Sequence, residues 1–304
     1  MTDLLWPHFR PLWIDLVDSG GKDLLVAGGY GLFLKQNWLF KNQETPSLVP
    51  IAQWTTNEPR VTKDLDLVVS LDVIAEEQSH RRVLGVLEKH GFSVTEKHPR
   101  WQFEKSVSEE RKVIVEFHAQ VPASGVPGLE RRRERVKRKP SLGDDGFHAH
   151  ANPEAVGCEL HPFRFEMEGT PIVAPNALTW SIMKLTATQD RWTHSEDSTR
   201  DQEWRLFSRE QAIKHAQDVC RVVAMVTRDE SDAIPEVVDA IRATPEFAGA
   251  AGIFSDLFAR DDGRAAAAVS GDWRPDDFNL IRATLARWFE PALGQFAAVA
   301  EDLK

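Results

Sequence analysis

The chain has 304 residues, 42% hydrophobic and 28% charged, which excludes a low-complexity or disordered chain and allows one large or two ordinary domains. A formal charge of −10 excludes a uniformly basic, nucleic-acid-coating surface but not a local basic patch. Two cysteines, Cys158 and Cys220, exclude a disulfide framework and make a reducing cytoplasm the default compartment. The first residues carry neither the basic nor the apolar block of a signal peptide. No apolar run approaches the roughly 18 residues of a membrane span, so no membrane partner is expected.

Residues 5–18 read as a short helix. Asp23 to Ala27 is an apolar run too short for a helix and stopped by Gly28 and Gly29, which predicts a buried strand. Apolar residues at helical spacing follow from Tyr30 to Phe40 (Leu32, Phe33, Leu39, Phe40). The opening unit is therefore strand, Gly-Gly, helix. Residues 41–59 contain Pro46, Pro50 and Pro59 without a period and are expected to form a long loop. Asp64 to Ser70 is a strand by its β-branched content, and Asp72 is a candidate N-cap. A single amphipathic helix is expected from Val73 to His90, ended by Gly91. Trp101–Val107 and Lys112–Ala119 read as a hairpin. From Ile172 onward the pattern is mostly helical. The fold class expected is α+β: a mixed-sheet domain over residues 1–170, then an all-α domain over 171–304.

The sharpest motif is Arg60-Val-Thr62-Lys-Asp64-Leu-Asp66-Leu. Side chains alternate along a strand, so Asp64 and Asp66 share one face and Leu65 and Leu67 the other. Two carboxylates on one face repel each other, and divalent cations remove that cost. By the same alternation, Ile114, Glu116 and His118 share a face. If the two strands are neighbours about 4.8 Å apart, Glu116 reaches the Asp64–Asp66 site. Asp-x-Asp also occurs on plain exposed sheet faces. Gly28 and Gly29 favour the functional reading, because glycines before a helix N-terminus let backbone N–H groups approach a phosphate. A tight packing turn is the structural alternative. The glycines do not complete a dinucleotide-binding fingerprint.

Strand, Gly28-Gly29, helix, then Arg60-x-Thr62-x-Asp64-x-Asp66-Leu, then Glu116 on a later strand resembles the minimal nucleotidyltransferases of the DNA polymerase beta superfamily, and most closely the AbiEii type, some of which are toxins of toxin–antitoxin pairs. That family also carries a lysine on a helix near the domain junction and a basic-Asp-x-x-Asp-like motif on the next helix. Here Asn176-Ala-Leu-Thr-Trp-Ser-Ile-Met-Lys184-Leu185 and Lys214-His215-Ala-Gln-Asp218 occupy those places. The resemblance spans about residues 24–225. It implies transfer of a nucleoside monophosphate from an NTP to an acceptor hydroxyl. Asp64, Asp66 and Glu116 would hold two Mg²⁺ ions, or Mn²⁺, with Glu116 helping to deprotonate the acceptor. Gly28, Gly29 and Tyr30, with Arg60 and Thr62, would line the triphosphate. Lys184 would neutralise phosphate charge, with Asp218 orienting it or meeting the nucleotide. The acceptor implied is RNA, including tRNA, with an antitoxin protein as a further partner. Within the family pattern the 41–59 loop is an insertion, the third carboxylate is Glu, and His215 stands where relatives often have Asp.

The other candidates have two readings each. By helical arithmetic Lys184 falls off the stripe of Leu178, Ile182 and Leu185, so it is expected to face water or a ligand. Lys214 and Asp218 read either as a surface i,i+4 pair or as part of the site. Residues 130–139 carry seven basic and two acidic side chains and read as a solvated helix or loop, or as an RNA contact. From Asp229 onward acidic residues outnumber basic ones 15 to 7, so RNA is expected near the first domain's carboxylates, away from the tail. His148-x-His150 and Cys158-x-x-His161 match no common zinc spacing. His118, on the face of Glu116, reads either as a group supporting the site or as an ordinary satisfied polar residue. The alternatives to RNA nucleotidyl transfer are a small-molecule (antibiotic) nucleotidyltransferase, a nucleotide- or partner-binding module without turnover, and a metal-dependent nuclease.

Overall fold

The computed structural model describes residues 3–19, 24–55, 62, 64–96, 100–143 and 146–302, with the backbone alone for 295–302. Arg60 of the motif lies outside the described residues. The chain divides into two compact units. The first comprises Met1–Leu34, Arg60–Ala155 and Pro162–Pro175, and the second comprises Lys35–Pro59, Val156–His161 and Asn176–Lys304.

The first unit is built on a mixed sheet. Its strands are β1 (Leu24–Val26), β2 (Asp64–Val69), β3 (Ser93–Val94), β4 (Gln102–Ser106), β5 (Lys112–Ala119), β6 (Leu129–Arg132), β7 (Arg135–Arg138) and β8 (Ala149–Ala151). The order is β1-β2-β5-β8-β7-β6, with β4 joined to β5 and β3 to β4. β2, β5 and β8 are parallel to one another, whereas β1–β2, β4–β5, β6–β7 and β7–β8 are antiparallel. The alternation read from the sequence holds in β5: Val113, Val115, Phe117 and Ala119 are buried, and Ile114, Glu116 and His118 are half-buried. A separate hairpin joins β9 (Phe163–Met167) to β10 (Thr170–Ala174). Its two turn residues, Glu168 and Gly169, both have positive φ, as a tight two-residue hairpin turn requires. The expected division at 170/171 would cut this hairpin inside β10; the observed boundary follows it, at Pro175.

Helices α1 (Trp6–Asp18), α2 (Gly28–Lys41), α3 (Leu71–Ala75) and α4 (Glu77–Lys89) accompany the sheet. Two expectations are corrected here. Ser70, not Asp72, caps α3, its Oγ accepting the Val73 N–H, while Asp72 lies in the first turn. The single helix expected over 73–90 is two, broken where Glu76 adopts extended backbone. Buried His80 sits across the break: Nδ1 accepts the Phe147 N–H at 3.0 Å, so Nε2 carries the proton and donates to Ile74 O at 2.7 Å. The basic run is neither helix nor loop. It is the β6–β7 hairpin, pinned by Val136, which is fully buried.

The second unit is helical: α5 (Ala177–Glu196), α6 (Gln202–Ala224), α7 (Arg228–Ile241), α8 (Pro245–Leu257), α9 (Arg264–Val269) and α10 (Pro275–Asp302). Asn176 caps α5 by accepting the Thr179 N–H, and its amide donates to Gly157 O and Leu160 O, which ties residues 156–161 to this unit. After α2 ends at Lys41, the described residues 42–55 carry one short 3-10 helix, Ile51–Gln53, and are anchored. Leu48 and Val49 N–H groups donate to Val226 O and Ala224 O, and Ser47 forms a bridge with Thr227. Lys35, 1% exposed, donates to both carboxylate oxygens of Glu230, at 2.6 and 2.8 Å. Glu230 also completes the capping box of Thr227 on α7.

Candidate functional site

β1 and β2 carry the local logic of the site. β1 pairs Val26 with Leu67, and Ala27 donates its N–H to Asp66 O at 2.8 Å. The chain then turns directly into α2, whose first residue is Gly28. Gly28 has φ of +60°, a conformation glycine adopts without penalty. An added Cβ there would lie 1.6 Å from Asp66 Oδ2. The glycine is therefore required twice, by conformation and by the carboxylate resting on its backbone.

β2 and β5 run parallel with Asp66 opposite Glu116. Among the described residues, Asp66, Glu116 and His118 form the only group of three such side chains whose ligating atoms lie within 4.8 Å of one another. His118 Nε2 lies 3.4 Å from Asp66 Oδ1 and 3.6 Å from Glu116 Oε2. Those are attraction distances rather than hydrogen bonds, and neither ring nitrogen of His118 has a hydrogen-bond partner although both are buried. Gln102, opposite Glu116 on β4, donates its amide to Glu116 Oε1 and holds that side chain in place.

The electrostatics follow from this geometry. Burial works against a charge on His118, but Asp66 and Glu116 outweigh it and push its pKa up to about 9. His118 in turn holds the Glu116 carboxyl below its usual range, against the opposing effects of burial and of the Asp66 charge. Because His118 is raised in the folded state, its contribution to stability is complete below about pH 6.5 and is lost as pH rises through about 9. Urea unfolding in a chelator should therefore show stability declining between pH 7 and 9.5, by up to roughly 3 kcal/mol, and His118→Asn should flatten that slope. An unchanged slope in the variant would assign the decline to other groups.

The donor set, two carboxylates and an imidazole that makes no hydrogen bond, fits a divalent cation that displaces the His118 proton. An imidazole in the set favours Mn²⁺ over Mg²⁺, which prefers oxygen throughout. Asp64 shares the face of Asp66 but stands outside the group; it faces Ile114 in register. Thr62 Oγ1 makes long contacts to the backbone of Asp64, at 3.5 Å from its N–H and 3.4 Å from its carbonyl. Tyr30 is a core residue. It is 1% exposed, packs against Phe9 and Phe33, and donates its hydroxyl to Asp3 Oδ2 at 2.9 Å. That side chain cannot line a triphosphate, so only its backbone N–H in the first turn of α2 remains available to the expected role.

Lys184 and Asp218 meet in the second unit, where α5 packs on α6. Lys184 does not face water: it is 6% exposed and its Nζ lies 2.9 Å from Asp218 Oδ2. Asp218 is fully buried, which corrects the expected surface pair with Lys214. His215 Nδ1 lies 3.9 Å from the same oxygen.

His118 is the functional candidate that sequence reasoning undervalued. Its signal was present in Glu116-Phe-His118, where parity places both polar side chains on one face. The chain matches no protein-family model, no curated protein and no solved structure.

Proposed function

We propose that the chain is a divalent-cation-dependent nucleotidyltransferase, moving a nucleoside monophosphate from an NTP to an acceptor hydroxyl. The observation that carries this reading is the contact of Gly28 with Asp66, one strand from Glu116. It joins a glycine-led helix N-terminus to a carboxylate–imidazole group at one spot. Asp66, Glu116 and His118 would hold the cation. When bound, it supplies a Lewis acid that stabilises charge on the transferring phosphoryl group. The backbone N–H groups at the start of α2 receive phosphate oxygens. The acceptor oxygen bonds to the α-phosphorus, the bond from that phosphorus to the bridging oxygen breaks, and pyrophosphate leaves. The acceptor's proton passes to Glu116. Lys184, held by Asp218, is a positioning element of the helical unit.

The test is incubation of each labelled NTP with total RNA and either Mg²⁺ or Mn²⁺. Label should enter RNA with release of pyrophosphate, and Asp66→Asn should lower the rate at least about 100-fold. No transfer and no NTP or cation binding by the native chain would overturn the reading. Growth arrest on induced expression, lost in Asp66→Asn and relieved by a co-expressed neighbouring gene product, is the corresponding test of a toxin role. A second reading, a nucleotide-binding module without turnover, is favoured by the place of Asp64 outside the ligand group. Calorimetric NTP binding without pyrophosphate release would select it.

A further inference from the structure

The polar face of the sheet does not end at the carboxylates. Register carries it onward strand by strand. His118 on β5 lies opposite His150 on β8, His150 opposite Arg135 on β7, and Arg135 opposite Arg132 on β6. Directly paired residues point to the same side, so all four share the face of Glu116. Lys137, two residues beyond Arg135, shares it too, opposite Glu130. The other face carries Val115, Phe117, Ala149, Ala151 and Val136, all buried. One face of the sheet thus runs from acidic at β2 and β5, through two imidazoles, to basic at β7 and β6.

Side-chain contacts hold this row in place. The rings of His118 and His150 meet edge to face at 5.6 Å, Trp101 lies 5.9 Å from His150, and the Arg135 guanidinium sits over Trp101 at 5.1 Å. Lys137, its side chain 16% exposed, pairs with Glu130 at 3.5 Å, and Arg132 is exposed. The buried Nδ1 of nearby His148 has no hydrogen-bond partner. Burial first, then the charges of Arg135, Arg100 and Lys137, push the His148 pKa down to about 4.

We infer that Arg132, Arg135 and Lys137 form the docking track for the phosphodiester backbone of an RNA acceptor, which leads its hydroxyl along the sheet to Glu116. The inference rests on the proposed function and names the acceptor class. From β5 to β7 is two strand spacings, roughly 10 Å, so phosphates can meet the hairpin while the strand's end lies at the carboxylates. A polycationic small molecule, such as an aminoglycoside, would be repelled by this row. Salt-dependent contacts at one basic row suffice for steering even in a chain of net charge −10.

The test measures binding of labelled single-stranded RNA to the full chain, without NTP, across a salt series. Replacing Arg132, Arg135 and Lys137 together by Gln should weaken binding about tenfold or more. It should also reduce the slope of log K against log salt by about 2, from three lost phosphate contacts. Arg132→Gln alone, at an exposed position, should lower the slope by about 0.7 and guards against misfolding of the triple variant. Unchanged RNA affinity in folded variants overturns the inference. So does a raised NTP Kd in those variants, which would give the row to the nucleotide, or a preference for anionic vesicles over RNA. If RNA binding depends on the row while the native chain transfers no label, the docking surface stands and the transferase reading falls.

Discussion

Replacing Gly28 by alanine is expected to abolish both cation binding and nucleotidyl transfer in a chain that remains folded. Two independent penalties meet at this residue. Its φ of +60° is one an alanine adopts only at a cost of about 1–2 kcal/mol. The added methyl would also overlap the Asp66 carboxylate, lying 1.6 Å from Oδ2, 2.5 Å from Cγ and 2.8 Å from Cβ. The third distance matters most. Because Cβ itself is too close, a change of Asp66 rotamer does not relieve the clash, and either strand β2 or the start of α2 must shift. Any such shift moves Oδ1 from its place 3.4 Å from His118 Nε2 and disperses the ligand group. Mn²⁺ titration and labelled-NTP incorporation should each fall at least about 100-fold, with the circular-dichroism spectrum retained. Native-like cation affinity in Gly28→Ala would separate the glycine from the site and remove the principal support for the proposed function.

Lys184→Met is expected to act on stability as strongly as on activity. The helical stripe alone leaves Lys184 facing water or a ligand, and then its removal would cost activity only. In the fold it is buried between α5 and α6 with its ammonium on Asp218. Removing one partner of a buried pair strands the other's charge, at about 3–5 kcal/mol. Thermal unfolding should move down by about 10 °C. The double variant Lys184→Met/Asp218→Leu should lose less than the sum of the two single variants, because each single change strands the other's charge. If the single variant melts as the native chain does while transfer fails, Lys184 acts on phosphate rather than on packing. If neither changes, it belongs to neither.

The two residues differ in how legible they were. Gly28 stands after an apolar run, and its role at a strand–helix junction is readable from the sequence. Its contact with Asp66 is not, because 37 residues separate the two along the chain and only the pairing of β1 with β2 joins them. Tyr30 differs. It was expected beside the triphosphate with the glycines; its ring faces Phe9 and Phe33 and its hydroxyl meets Asp3, which leaves that role to its backbone N–H alone. Position in a motif did not reveal which way that side chain points. Lys184 and Asp218 share this limit: periodicity placed each on its own helix, and helix packing decided that they meet.

The sequence by itself determined what local chemistry controls. Strand alternation set the facing of Asp64, Asp66, Glu116 and His118, and hydrophobic period and capping residues marked the change from mixed sheet to helices. It also located the one concentration of basic charge in an acidic chain. Tertiary structure decided everything that depends on which strands are neighbours. Parallel pairing of β2 with β5 put Asp66 opposite Glu116 and drew His118, rather than Asp64, into the ligand group. Pairing through β8 brought the basic hairpin onto the same face as the carboxylates. Partner choice is a long-range property: alternation forbids a one-residue slip, which would turn every side chain of a strand to the other face, but it does not say which strand is the neighbour or exclude a slip of two.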